Sequence, residues 1–218
     1  MKILNLYAGI GGNRKKWEGK VTAIEMEKKI AAVYESFFKE DDVILGDAHQ
    51  FLLDHCDEFD FIWSSPPCQK HSRMVKATRH KKKQYIDIAL YQEIICLTHF
   101  FKGKWVVENV KPYYDPLILP TAIIGRHYFW SNFPISYFEQ PSHPNFIQAE
   151  SPAEVQALKD WLGLNYEGNI YYGKNHSPAQ ILRNCVHPDL GKHILNCAIQ
   201  ENYKPGPELI TPDLFSDA

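Results

Sequence analysis

Two residues of this chain have the types needed for nucleophilic covalent chemistry: the thiol of Cys68 and the carboxyl of Glu108. A thiolate is a strong nucleophile. A carboxylic acid beside it can protonate or hydrogen-bond the ring that the thiolate attacks. Most cysteines are inert buried hydrophobes, the reading given to Cys56, Cys96 and Cys197. Cys68 differs because Pro66-Pro67 precede it and stiffen the chain as it leaves a strand. That places the thiol at a sheet rim. Glu108 closes a later strand and is followed by Asn109-Val110, so both groups are expected to face one pocket. The ten histidines form no HxxxH or HExxH pattern, so no metal site is expected.

A second constellation suits a nucleotide. Tyr7 is followed by Ala8-Gly9-Ile10-Gly11-Gly12, a turn whose glycines let a backbone approach a ligand closely. It is not GxGxxG. Glu25 ends a second strand, where an acid can grip ribose hydroxyls. Met26 follows and can lie on an adenine face. Asp47 ends a third strand, where it can accept from an adenine amino group. These features suggest an adenosine pocket, with S-adenosylmethionine and a nicotinamide dinucleotide both open.

The elements that must position these groups alternate. Lys2–Tyr7, Lys20–Glu25, Val43–Leu45, Phe59–Trp63 and Lys104–Val107 read as strands. Lys28–Phe38 and a long stretch from Ile86 to Phe101 read as amphipathic helices, and Asn13-Arg14-Lys15-Lys16 as a charged helix start. Strands separated by helices imply βαβ units and an α/β fold with a mostly parallel sheet, whose carboxyl edge binds ligands. Gly125–Phe133 is strand-like, Pro134–Ser151 is loop, and Pro152–Leu162 and Gln180–Gln200 are helical, the latter broken at Pro188.

The chain has 218 residues, 44% hydrophobic and 23% charged, with a formal net charge of −2. This excludes a disordered chain, a collagen and a membrane bundle. A general nucleic-acid binder is usually strongly basic, so any such contact must come from a local patch. The dense basic run is Lys76–Lys83, just after Cys68. The stretch Asn165–Asn175, with Tyr166, Tyr171, Tyr172 and Lys174, fits packing on bases and packing on the fold equally well. Five scattered cysteines without a CxxC pair suit a reducing, cytoplasmic setting.

Taken in order, Leu4–Gly12, Ser65-Pro66-Pro67-Cys68-Gln69-Lys70-His71-Ser72 and Glu108-Asn109-Val110 resemble the motifs of the cytosine-C5 DNA methyltransferases. Glu25 and Gly46-Asp47 stand between them, and Arg183-Asn184-Cys185-Val186 resembles the family's C-terminal Gly-Asn-Ser-Val. The resemblance implies a Rossmann-like class I S-adenosylmethionine-dependent fold. It gives the cofactor to Tyr7, Ala8, Gly9, Ile10, Gly11, Gly12, Glu25, Met26, Asp47, Ala48, Pro66 and Asn184. Tyr7 would stack on adenine. It makes Cys68 the nucleophile at C6 of a flipped cytosine, Glu108 the group on N3 and the exocyclic amine, and Arg126 a base-side contact. Gln69, Ser72, Arg79, Lys81, Lys82 and Lys83 would contact the nucleic acid.

There are departures. Asn5 and Tyr7 stand where the family usually has Asp and Phe, and of Gln-x-Arg-x-Arg only Arg126 and His127 remain. The expected organisation is a catalytic core over 1–134, a vestigial target-recognition region over 135–175, a segment packing back over 176–203 and a flexible tail over 204–218, similar to compact phage-like enzymes. The expected partner is DNA, with no membrane. The alternatives are an RNA (transfer-RNA-type) cytosine methyltransferase, a non-catalytic S-adenosylmethionine-binding partner subunit and, last, a dinucleotide oxidoreductase.

Overall fold

A computed structural model describes residues 1–72, 85–142, 151–168 and 178–200. Short apolar runs form five parallel strands: β1 (Ile3–Leu6), β2 (Val21–Glu25), β3 (Asp42–Leu45), β4 (Phe61–Ser64) and β5 (Lys104–Val110). A hairpin of β6 (Ala122–Ile124) and β7 (His127–Ser131) joins antiparallel to β5. The seven strands lie in the order β3-β2-β1-β4-β5-β7-β6. The helices are α1 (Lys28–Phe37), α2 (Ala48–His55), α3 (Ala89–Phe100), α4 (Pro152–Leu162), α5 (Pro178–Arg183) and α6 (Pro188–Ile199). This is the doubly wound α/β architecture expected from the alternation, and strand order reverses beside β1 and β4, where such sheets open a crevice.

Side-chain alternation assigns each strand's two faces. Ile3, Phe61, Trp63, Val106 and Phe129 pack on one side with Leu190 and Ile194 of α6. Leu4, Leu6, Ile62, Trp105 and Val107 pack on the other with Leu52 of α2 and Leu90, Ile94 and Leu97 of α3. Both strand faces are apolar because helices cover both. Among the described residues no helix is long and apolar enough to cross a membrane.

Register does the positioning. Leu6 pairs with Ile24 on one side and Ser64 on the other, and Ser64 pairs with Val107. One residue further on, Glu25, Tyr7, Ser65 and Glu108 therefore stand in one row across the carboxyl edge. Backbone pairing alone aligns these four residues from separate segments.

Several elements differ from the sequence expectation. The strand ending in Glu108 runs on to Val110, because β7 keeps pairing with Glu108, Asn109 and Val110 after β4 has stopped at Ser64. Gly125, at φ 56°, turns the hairpin, so the strand begins at His127 and β6 precedes it. The charged segment after the glycine turn forms turns and no helix. Arg14 there is buried, donating to both oxygens of Asp41 and to the Trp17 and Gly19 carbonyls. Four acceptors outweigh the local helix pattern. Helix α2 carried no sequence expectation, and α3 starts at Ala89, three residues later than the periodicity from Ile86 suggests.

Candidate active site

A cavity of about 400 Å³ opens along the carboxyl edge of the sheet, of the size that holds a cofactor or small substrate. Its lining includes Tyr7, Ala8, Gly9, Ile10 and Gly12 from the turn after β1. Glu25 and Met26 from the end of β2, with Gly46 and Ala48 at the end of β3, continue it. The Gly9 N–H donates to Glu25 Oε2 at 2.9 Å and the Glu27 N–H to Oε1 at 2.9 Å, so the carboxylate is oriented before any ligand arrives. Gly9 has φ +56°, and nothing lies within 4 Å of where its Cβ would be. Its neighbourhood is open space, the arrangement that admits a ligand close to backbone.

Not every residue of the glycine turn lines the cavity. A Cβ on Gly11 would meet Phe38 at 2.2 Å, so this glycine serves packing. A Cβ on Gly12 would meet the Val186 carbonyl at 2.7 Å and Cys185 Cβ at 2.8 Å. Gly12 thus admits the C-terminal segment, which brings Asn184 and Cys185 to the cavity. Asp47 is exposed and is placed differently from expectation. Its Oδ1 accepts from the His49 and Gln50 N–H groups, capping α2. It does not line the cavity, although Gly46 and Ala48 on either side do. A carboxylate just before a helix is in the favoured place to satisfy that helix's open donors.

The lining also includes Ser65, Pro66, Cys68, Gln69, Glu108, Arg126 and His127. A compact turn holds Cys68: the His71 and Ser72 N–H groups both donate to its carbonyl, at 3.0 and 2.9 Å. Asn109, buried, donates from Nδ2 to the Pro66 carbonyl at 2.9 Å, tying this turn to β5. Ser72 also forms a bridge with Pro112. Arg79, Lys81, Lys82 and Lys83 lie outside the described residues, as does most of the Asn165–Asn175 stretch. At its described end, Lys159 Nζ donates to the Tyr166 carbonyl at 2.6 Å and lies over the Tyr166 ring.

The electrostatics of this wall are set by burial. Glu108 is raised from 4.5 to about 7 by loss of water, against the opposing effects of a Ser65 hydrogen bond and the Arg126 charge. Its carboxyl is therefore partly protonated near neutral pH. Burial and the Glu108 charge push the Cys68 thiol up, while Arg126 draws it back down. His127 Nε2 lies 3.9 Å from Glu108 Oε1, but burial lowers His127 to about 3, so it stands there as a neutral imidazole. Burial raises Cys185 to about 12, which leaves it an un-ionised thiol. Arg126 donates to the Arg183 carbonyl, and the Arg183 Nε donates to Glu154 Oε1 at 3.1 Å. The hairpin, α5 and α4 are thereby joined behind the base-side wall.

Cys68 and Glu108 come from motifs forty residues apart and meet the glycine turn in one cavity. A family model described as C-5 cytosine-specific DNA methylase matches residues 1–116, more than half of the 218-residue chain. The chain belongs to this family. It is a cytosine-C5 methyltransferase whose methyl donor is S-adenosylmethionine.

No curated protein matches the chain. Among solved structures, a hypothetical protein of Thermus thermophilus is similar at 16% identity, over 60% of this chain and 73% of that one, with a TM-score of 0.42. The DNMT2 E260A/E261A/K263A mutant of Spodoptera frugiperda is similar at 26% identity, over 50% of this chain and 35% of that one, with a TM-score of 0.36. NSun6 of Pyrococcus horikoshii, solved with SFG, is similar at 18% identity, over 52% of this chain and 33% of that one, with a TM-score of 0.38.

The methyltransferase's cavity fits the donor. The bare backbone at Gly9 gives room beside the pre-oriented Glu25, and the Met26 thioether and Tyr7 ring flank it. Ser65, Asn109, His127 and Cys185 were not singled out as site residues from sequence. Ser65 and Asn109 each adjoin a motif residue, the signal that points to them. His127 stood out in the sequence only as a remnant of the arginine motif; its place beside Glu108 appears when the hairpin brings β7 onto β5.

Proposed function

We propose that the methyltransferase acts on DNA, methylating C5 of a cytosine swung out of the duplex into the cavity. The observation that supports this reading is the meeting of Cys68, Glu108 and Arg126 opposite the cofactor-side turn, with Glu108 raised to about 7. Cys68 adds through its sulfur to C6 of the ring, forming a C–S bond and moving electron density towards N3 and C5. The protonated Glu108 donates to N3 and so neutralises the charge that builds there. Arg126 favours the thiolate over the thiol and compensates negative charge in a pocket where water is scarce. Bound S-adenosylmethionine supplies the electrophilic methyl group. C5 would take the methyl group as the donor's S–CH3 bond breaks; the C5 proton then passes to solvent, N3 returns its proton to Glu108, and the C–S electrons return to sulfur, which regenerates Cys68.

Residues 1–134 are the catalytic core in this reading, 135–175 a reduced recognition region and 176–203 the segment that closes the cofactor side. The basic run Lys76–Lys83 contacts phosphates. Replacing Lys81, Lys82 and Lys83 by Gln should lower the slope of log affinity against log salt by about 2–3, with cofactor affinity intact. The deciding experiment is transfer of labelled methyl from S-adenosylmethionine to duplex DNA and, in parallel, to transfer RNA, with Cys68→Ser beside the parent. Label on DNA from the parent alone is expected. Label on transfer RNA but not DNA would move the substrate to RNA. Cofactor binding with no transfer to either would make the chain a partner subunit. Undiminished labelling by Cys68→Ser would overturn the covalent route.

A further inference from the structure

Helix α3 presses Leu90, Tyr91, Ile94 and Leu97 onto the sheet, and Glu93 lies within this apolar face, fully buried. A buried carboxylate is costly unless its oxygens are hydrogen-bonded. Here the Tyr7 hydroxyl donates to Glu93 Oε1 at 2.6 Å, and His49 Nδ1 lies 3.0 Å from the same oxygen. The Ser64 hydroxyl donates to Oε2 at 2.6 Å. These partners come from three separate segments that reach the cavity. Tyr7 opens the turn after β1, His49 sits in the first turn of α2 next to Ala48, and Ser64 closes β4 just before Ser65.

Tyr7 is also under backbone strain, with φ +55°, the positive-φ residue among the described residues that is not glycine. A bulky side chain holds that conformation only when its surroundings over-determine it. The hydrogen bond from its hydroxyl to an immobile carboxylate is such a constraint.

We propose that Glu93 is a positioning residue for the cofactor: through the Tyr7 hydroxyl it holds the strained turn in the shape that receives S-adenosylmethionine. Glu93 does not line the cavity and acts only through Tyr7, His49 and Ser64. The proposal rests on that cofactor occupying this cavity, and the test separates the two.

The test compares the parent with Tyr7→Phe, Glu93→Gln, Glu93→Leu and the double variant Tyr7→Phe/Glu93→Leu. The dissociation constant of S-adenosylhomocysteine is measured by calorimetry, and melting is followed without ligand. Tyr7→Phe and Glu93→Leu should each weaken binding about tenfold, and Glu93→Gln by no more than about threefold, sizes that suit one hydrogen bond lost and one kept. The Gln carbonyl can still accept from Tyr7 and His49 while its amide donates to Ser64. The double variant should bind no more weakly than Glu93→Leu alone, because Tyr7 then has no partner left to lose. A merely structural Glu93 would lower the melting temperature without coupling to Tyr7 in ligand affinity. Tyr7→Phe binding as tightly as the parent, or losses that add in the double variant, would overturn the proposal. If Glu93→Leu shows no cooperative melting, the comparison of Tyr7→Phe with Glu93→Gln decides by the same criterion. A parent that does not bind S-adenosylhomocysteine would overturn the cofactor assignment and the proposal with it.

Discussion

On the cofactor side of the cavity, polar groups meet as finished pairs. The Gly9 and Glu27 N–H groups hold Glu25, which lines the cavity, and behind the lining Asp47 caps α2 and Glu93 receives Tyr7, Ser64 and His49. Burial raises the Tyr7 hydroxyl there, and around Cys68 it shifts four groups together. Glu108 is raised to about 7, the Cys68 thiol is raised, the Arg126 guanidinium is lowered and His127 is held neutral near 3. The first wall is pre-organised to bind, which reduces the ordering that a ligand must impose. In the second, a carboxyl that still holds its proton near neutral pH can donate where a solvated one could not. The same sheet edge thus carries a hydrogen-bonded carboxylate beside the glycine turn and, around Cys68 and Glu108, groups whose charge states burial has shifted.

The largest expected break in this contrast is Cys68→Ala. It should cost ~10⁴–10⁶-fold in kcat, the scale of removing a nucleophile from a cooperating set. Binding of S-adenosylhomocysteine should survive, and calorimetry beside a methyl-transfer assay checks both halves.

Glu108→Gln comes next, with an expected loss of ~10²–10⁴-fold in kcat. The parent's activity should fall as pH rises through about 7, where Glu108 loses its proton, and this limb should vanish from the variant's residual rate. Stability gives an independent reading. Because the folded pKa lies above the unfolded one, the parent is not penalised below pH 4.5 and loses stability as pH climbs from there to about 7. Glu108→Gln should therefore exceed the parent by roughly 2–3 kcal/mol at pH 8, with no such gain at pH 4. Denaturant melts at the two pH values measure it, and an equal difference at both would mean that the carboxyl is not desolvated.

Gly12→Ala sits between the walls. Its Cβ would run into the Val186 carbonyl and Cys185, so the C-terminal segment must shift. A loss of ~1–3 kcal/mol in stability is expected, as for an overpacked core, together with weaker S-adenosylhomocysteine binding. A variant of unchanged melting temperature would show that the segment yields freely.

The smallest effect is expected for Asp47→Asn. Asn caps a helix about as well as Asp, so stability should change by less than about 0.5 kcal/mol, and S-adenosylhomocysteine affinity should hold. A tenfold weaker affinity would return Asp47 to the cofactor wall.

Much of this was legible because it is local. The glycine turn, the stiff Pro66-Pro67 before Cys68 and the Glu108-Asn109-Val110 strand are short patterns with direct backbone consequences. Alternating strands and helices also indicated the sheet and its carboxyl edge. Glu93 left a fainter signal, an acid at a helical position between apolar Leu90 and Ile94. Periodicity marks such a residue as misplaced without naming its partners. Asp47 misled for a related reason: an acid at a strand end and an acid before a helix read alike until α2 is seen to follow it.

By itself, then, the amino-acid sequence determined which groups are present, which turns they occupy and the kind of sheet that carries them. These are consequences of backbone sterics and of hydrophobic periods over a few residues. Only the tertiary structure decided that Glu25, Tyr7, Ser65 and Glu108 share one register row, that β7 prolongs β5 past Glu108, and that His127 arrives as a neutral neighbour. It also decided how strongly Glu108 keeps its proton. Desolvation and charge pairing depend on which residues remote in the chain exclude water together, and no local pattern encodes that.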